Sequence, residues 1–330
     1  MRTDLDHLPA AKQRELEEVV RMLFADFREA TENATGRKKS ARILKIILFG
    51  SYARGDWVDA PFDANQYKSD MDILVIVNQK EMTDVAAYWS VAEQRLIDAY
   101  LIERRIKTPV HFIVHSLQQV NQGLSHGRVF FMEIAEQGIA LYDADGRELA
   151  KPKPKTPQQA YEAAQEYFDE YFGEAMQCFE VAKFGIEKSF VKKAAFDLHQ
   201  TTERLYQAIL LTLTFYTPYD HNIAFLRVQA EGRNPSLFDV WPRGSRKERA
   251  MFQKLKDAYV KARYSRHYQI SLEELNWLAE RIELLGRKTH EICLKHITAL
   301  RENADSSSSF PLPAVEVLDS SEKSGSSRIN

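Results

Sequence analysis

The segment Gly50-Ser51-Tyr52-Ala53-Arg54-Gly55-Asp56 is followed, after an insertion, by Ser69-Asp70-Met71-Asp72-Ile73-Leu74-Val75-Ile76-Val77. The apolar run Ile43 to Phe49 reads as a buried strand that delivers the chain into a turn of small residues at Gly50 and Ser51. Backbone N–H groups in such a turn can point at a phosphate, and glycine permits close approach. Asp70 and Asp72 stand two apart at the mouth of the second apolar run, and the period of two in a strand sends both carboxylates to one face. Two such oxygen donors suit a hard divalent cation, magnesium or manganese, in the arrangement that orients a nucleoside triphosphate for in-line attack. Arg54 either contacts phosphate or covers the turn. Asp56 reads as a turn residue that satisfies local backbone donors.

Outward from this centre, Leu16, Val19, Val20, Leu23, Phe24 and Phe27 recur at helical spacing and predict an amphipathic helix over about 8–33. Residues 82–105 read as a further helix, and Pro109 to Val114 as a third strand with proline at its first position. A helix over about 127–137, a stop at Gly138 and a strand from Ile139 to Tyr142 complete a mixed α/β domain over residues 1–149. The segment Lys151-Pro152-Lys153-Pro154-Lys155-Thr156-Pro157 can continue neither helix nor central strand, which makes 150–157 the linker. Residues 158–303 then read as about five helices, with breaks at Gly185 to Lys188, Thr217-Pro218, Gly232 to Pro235 and Trp241 to Gly244. The helix that carries Phe196, Leu198, His199, Thr202, Leu205, Tyr206, Ile209 and Leu213 is the most apolar and is expected at the centre. Residues 304–330, rich in serine, are expected to be a disordered tail. The fold class is therefore α+β, a mixed-sheet α/β domain followed by an all-α bundle.

A chain of 330 residues suits two domains, each with its own core. A formal net charge of −2 with 28% charged residues argues against a dominant polyanion-binding face. Cys178 and Cys293 are the only cysteines, too few for a disulfide framework and without metal-ligand spacing. The first residues are polar and acidic with no apolar h-region, and no apolar stretch approaches bilayer length. These features predict a soluble cytoplasmic protein without a membrane partner.

Strand, Gly-Ser turn, insertion and Asp-x-Asp strand together resemble the polymerase-beta-like nucleotidyltransferases, above all the minimal ones. The resemblance implies that Gly50 and Ser51 hold the triphosphate of a nucleotide, ATP in the first instance, while Asp70 and Asp72 bind magnesium. Glu136-Gln137-Gly138-Ile139-Ala140-Leu141-Tyr142 looks like the close of such a domain. The C-terminal half, through Lys192 to Tyr206, Tyr216-Thr217-Pro218 and His221-Asn222-Ile223, is similar to HEPN domains, which accompany minimal nucleotidyltransferases in prokaryotes. The two resemblances cover nearly everything from 40 to 300, so the chain looks like a fused bacterial nucleotidyltransferase and HEPN protein. Active members of the superfamily supply a third carboxylate from the strand that here reads Pro109-Val110-His111-Phe112-Ile113-Val114. No acid is present in it, and by the alternation His111 takes that place.

The resemblance implies transfer of a nucleoside monophosphate to an acceptor hydroxyl, either a protein tyrosine or a small molecule, with the HEPN domain binding or presenting it. A nucleotide-binding or sensing module without turnover is the alternative, motivated by the missing acid. A ribonuclease toxin fused to its antidote is the weaker one. HEPN ribonucleases carry arginine followed four to six residues later by histidine; here Arg263 and His267 are the nearest pair, expected on one helix face. RNA and a homodimer formed through the HEPN domain are the partners these readings add. His199 and Glu203, one turn apart, form either a structural polar pair or part of a HEPN groove with Arg263 and His267. His221 is expected to cap or position the next helix. The basic run Arg243 to Arg249 is either a phosphate contact or a loop entering a helix. Trp57, Phe62 and Tyr67 in the insertion form either a flap over a base or an ordinary surface loop.

Overall fold

A computed structural model describes residues 1–58, 68–218 and 221–308. Helix α1 (Ala10–Thr31) precedes strand β1 (Ile43–Phe49), a single helical turn α2 (Ser51–Arg54) and strand β2 (Met71–Val77). Short helices α3 (Val85–Tyr88) and α4 (Ser90–Leu101) lead to strand β3 (Val110–Ser116), helices α5 (Leu117–Ser125) and α6 (Val129–Gln137), and strand β4 (Ile139–Asp143). The four strands form one sheet in the order β3-β2-β1-β4. β1 is antiparallel to both β2 and β4, while β2 and β3 run parallel.

Both faces of this sheet are covered, which is why β1 and β2 are apolar at nearly every position instead of alternating. Ile46, Leu48, Ile73 and Val75 pack with Leu16, Val19 and Leu23 of α1 and with Leu96 of α4. Ile47, Phe49, Leu74 and Ile113 pack on the opposite side with Val120 of α5 and Phe130, Phe131 and Ile134 of α6. Tyr216 and Phe225 from the second half of the chain complete that second core, so the halves share buried apolar surface.

Helices α7 (Pro157–Glu187), α8 (Val191–Thr214), α9 (Ile223–Arg233), α10 (Arg246–Tyr264) and α11 (Leu272–Ser308) make the C-terminal bundle. As its composition predicts, α8 is the centre of it, packing on α7, α9, α10 and α11. The linker is laid against the first domain. Lys153 N–H donates to the Leu124 carbonyl at 3.0 Å, and Gly127, at φ +65°, has no room for a Cβ beside Lys153 and Lys155. Pro157 takes the first position of α7, behind a capping box of Thr156 and Gln159.

Four expectations are corrected. The helix expected over 82–105 is divided into α3 and α4, because Trp89 between them turns inward, donates Nε1 to the Met82 carbonyl at 2.7 Å and stacks on Phe27. α5, started by a capping box of Ser116 and Gln119, precedes the helix expected over 127–137. The last expected helix divides at 265–271, where Ser271 and Glu274 exchange side-chain-to-backbone bonds that start α11. α11 in turn runs to Ser308, past the tail boundary expected at 303, with Ala304 buried; residues 309–330 lie outside the described residues. Among the described residues no helix is long and apolar enough to cross a membrane, and both cysteines are free thiols.

Candidate active site

β1 ends in Gly50 at φ +72° and ψ −153°, a conformation that glycine alone adopts without strain. A Cβ built on it would lie 2.5 Å from Asp72 Oδ2, so the turn backbone presses directly on the carboxylate. α2 follows at once and is closed by Gly55 in the left-handed region, whose N–H donates to the Ser51 carbonyl. Arg54 projects from this turn and pairs with Asp56 at 3.2 Å. Asp56 is therefore the partner of Arg54 as well as a turn residue.

Asp70 precedes β2 and Asp72 lies within it, opposite Phe49 on β1 and His111 on β3. Asp70, Asp72, Gly50, Ser51 and Arg54 all line one cavity of about 370 Å³. The period-two argument thus holds for the acid pair. His111 Nε2 sits 3.2 Å from Asp70 Oδ2, beside the pair on the neighbouring strand. Burial pushes the Asp72 carboxyl up to about 7, the neighbouring Asp70 charge adds to this, and His111, the Gln229 hydrogen bond and Arg54 offset part of it. Burial draws the His111 ring down, but the hydrogen bond and charge of Asp70, with the charge of Asp72, outweigh it and raise the ring above the usual histidine range.

The remaining wall is residues that sequence reasoning missed. Glu133 and Gln137 come from α6, and Val228, Gln229, Gly232 and Arg233 from α9 of the helical bundle. Gln229 Nε2 donates to Asp72 Oδ1 at 2.8 Å, and Arg233 pairs with Glu133 at 2.6 Å. Gln229 and Arg233, four apart on one helix, point to a common face, but nothing in the chain says which surface that face meets.

The other singled-out residues lie in the bundle. His199, fully buried, donates Nδ1 to the Leu255 carbonyl at 3.0 Å, and its Nε2 stands 3.7 Å from Glu203. His221 Nδ1 lies 2.9 Å from the other Glu203 oxygen and its ring stacks on Tyr259. His221 therefore does not cap α9, a task done by the Asn222 side chain. Burial alone would push Glu203 up; the neighbouring His199 ring, together with the hydrogen bond and charge of His221, outweighs it and holds the carboxyl below its usual range. Arg263 lies over Tyr259 and Phe196, with centroids 4.5 and 4.8 Å away. His267 is not on its helix face: α10 ends at Tyr264, Ser265 is extended, and His267 follows in the turn. Arg243 pairs with Glu231, and Ser245 with Glu248 caps α10, so the basic run is a loop that enters a helix. Trp57 stacks on Tyr52 behind the turn at 5.4 Å; Phe62 and Tyr67 lie outside the described residues.

A glycine turn pressed against paired strand carboxylates, on a mixed sheet with helices on both faces, defines a nucleotidyltransferase-type site. Residues 31–120 match the family model described as nucleotidyltransferase domain, and residues 168–302 the one described as HEPN domain. The chain thus carries a nucleotidyltransferase domain followed by a C-terminal HEPN domain. A protein of Methanocaldococcus jannaschii, whose name proposes it as a protein adenylyltransferase, is 50% identical over 44 residues. That match covers 13% of this chain and 36% of the length of the relative.

Proposed function

We propose that the protein moves a nucleoside monophosphate from a nucleoside triphosphate, ATP in the first instance, to an acceptor hydroxyl on a protein tyrosine or a small molecule. The observation that carries this reading is the Gly50 turn packed on Asp72, with Asp70, Ser51 and Arg54 on the wall of the same cavity. The acceptor oxygen forms a bond to the α-phosphorus, the bond to the pyrophosphate oxygen breaks, and the hydroxyl proton leaves to solvent. Catalysis of this kind is mainly positioning and charge neutralisation.

Gly50 and Ser51 present backbone to the triphosphate, and Arg54 and Arg233 bring guanidinium groups to the cavity. Asp70 and Asp72 fit a hard divalent cation in donor chemistry, since a cation would offset the charge that Asp72 cannot share with water. Among the described residues no group of three or more His, Cys, Asp and Glu side chains assembles as a metal site, so substrate phosphates and water would complete the shell. Asp70 and Asp72 would hold magnesium or manganese, which would supply neutralisation of phosphate charge. His111 holds Asp70 in place. The HEPN domain closes the cavity through α9 and binds or presents the acceptor.

The test is incubation with triphosphate labelled at the α-phosphate, together with cell extract. Label enters an acceptor and pyrophosphate is released, both falling by about 100-fold or more in Asp70→Ala and Asp72→Ala. Two observations favour a second reading, a nucleotide-binding module without turnover: the strand beside the pair carries His111 and no carboxylate, and Gln229 already engages Asp72. Saturable magnesium–ATP binding that Asp72→Ala abolishes, with no pyrophosphate released, selects that reading.

A further inference from the structure

The two edges of the sheet are finished differently. Along β4, Arg2 makes a parallel bridge with Ile139, and its carbonyl accepts from the Ala140 N–H at 2.8 Å. β3, the opposite edge, has its ends closed and its middle open. Met71 N–H donates to the Pro109 carbonyl at 2.8 Å, and Met71 is in register with Val110. In a parallel ladder this fixes the alternation: the backbone groups of His111, Ile113 and His115 turn to β2, and those of Val110, Phe112 and Val114 turn outward. Among the described residues those outward N–H and C=O groups have no hydrogen-bond partner. Pro109, which has no N–H, closes one end of the free stretch. At the other, the Ser116 N–H donates to Gln119 Oε1 at 2.8 Å in the capping box of α5. What is left open is the length of a short strand, about five residues.

A cavity of about 450 Å³ runs along this stretch and is lined by every residue from Val110 to His115. Consecutive strand residues face opposite sides of a sheet, so a cavity that touches all of them lies at the edge and not over one face. Helices flank it on both sides. Ile97 and Leu101 of α4, 43% and 55% exposed, form one wall, and Ala224 and Phe225 of α9 form the other. A floor of unpaired strand backbone between two apolar walls has the shape of one more strand, with side chains directed alternately to either wall. Charge distinguishes the walls: Glu93 stands on α4, and Lys256 comes from α10 of the helical domain. Lys256 is half-buried and forms no ion pair among the described residues, so its complement is a carboxylate on the incoming segment.

We infer that β3 is a docking edge, and that an extended segment of a partner protein pairs with it as a further strand, its apolar side chains between α4 and α9 and one carboxylate toward Lys256. Main-chain bonds to Val110, Phe112 and Val114 hold the segment, and the walls select its side chains. The inference is independent of nucleotide transfer.

The full chain is titrated with a fluorescein-labelled, C-terminally amidated peptide of sequence Thr-Val-Glu-Val-Thr, followed by fluorescence anisotropy. The peptide binds saturably. Two versions carry backbone N-methyl groups, one at both valines, the other at the glutamate and both threonines. Because alternate N–H groups of a strand point the same way, one version loses about tenfold or more in affinity and the other stays within about twofold of the parent. Lys256→Glu weakens the parent peptide about tenfold, and the peptide with lysine in place of glutamate binds that variant about as well as the original pair, which also reports that it is folded. Ile97→Asp, on the exposed face of α4, weakens both peptides. No saturable binding, equal effects of the two N-methylation patterns, or an affinity that Lys256→Glu leaves unchanged overturns the inference. Sedimentation of the chain alone tests the competing occupant: a dimer that the peptide dissociates would assign the edge to a second copy and overturn the inference of a partner protein.

Discussion

At the scale of single residues, the site is governed by how closely backbone and carboxylate approach. Gly50 matters twice, since its positive φ is strained for any side chain and its missing Cβ leaves the space that Asp72 Oδ2 occupies. Gly36 makes the control, because it also has a positive φ, +59°, but nothing within 4 Å of a built Cβ. Gly36→Ala is expected to cost about 1–2 kcal/mol of stability from the backbone alone and to leave nucleotide binding unchanged. Gly50→Ala is expected to cost about 1–3 kcal/mol and also to weaken magnesium–ATP binding about tenfold or more, because Asp72 must move. Thermal melts and binding isotherms on the two variants measure the difference. Equal binding by both would mean that the close approach is incidental.

At the scale of elements, what the chain makes legible is what local chemistry and burial determine. β1, β2 and α8 are readable because sheet covering and bundle packing impose apolar patterns on contiguous residues. The pair Asp70 and Asp72 is readable because strand periodicity fixes a shared face. α5 and the start of α11 were readable in principle, through Ser116 with Gln119 and Ser271 with Glu274, but short capping signals are easily lost beside apolar periodicity. Arg263 and His267 mislead for the same reason: spacing implies a face only if the helix continues, and α10 stops between them. Glu133, Gln229 and Arg233 are not legible, since their role comes from which surfaces meet, a long-range fact. Within α8, Glu203 supplies a pH prediction. It is held below its unfolded value of 4.5, so it contributes stability that is present above pH 4.5 and is lost as pH falls through the lower folded value. Glu203→Gln is expected to lower stability at neutral pH by about 1–3 kcal/mol, and the gap to the parent should narrow as melts are taken toward pH 3. A gap independent of pH would remove the His199 and His221 network as its cause.

At the scale of the whole molecule, the two domains do not merely adjoin; the site is assembled from both. Tyr216 stacks on Phe130 at 4.2 Å, Gln229 reaches Asp72, and Arg233 reaches Glu133, so α9 and the segment before it are fastened to the sheet domain at both the core and the cavity. A ligand that binds only the folded site adds stability of about 2.7 kcal/mol when present at about 100 times its dissociation constant. Because the cavity wall runs from Gly50 to Arg233, that stabilisation is expected to spread across the domain boundary. Hydrogen exchange with magnesium–ATP should slow in α9 as well as in β2, although the two are far apart in sequence. Gln229→Ala should retain protection in β2 and lose much of it in α9, since it cuts the direct link between the helix and Asp72. Protection confined to residues 43–77 in the parent protein would mean that the HEPN domain covers the nucleotide site without responding to it. The role of α9 as its closing wall would then have to be abandoned.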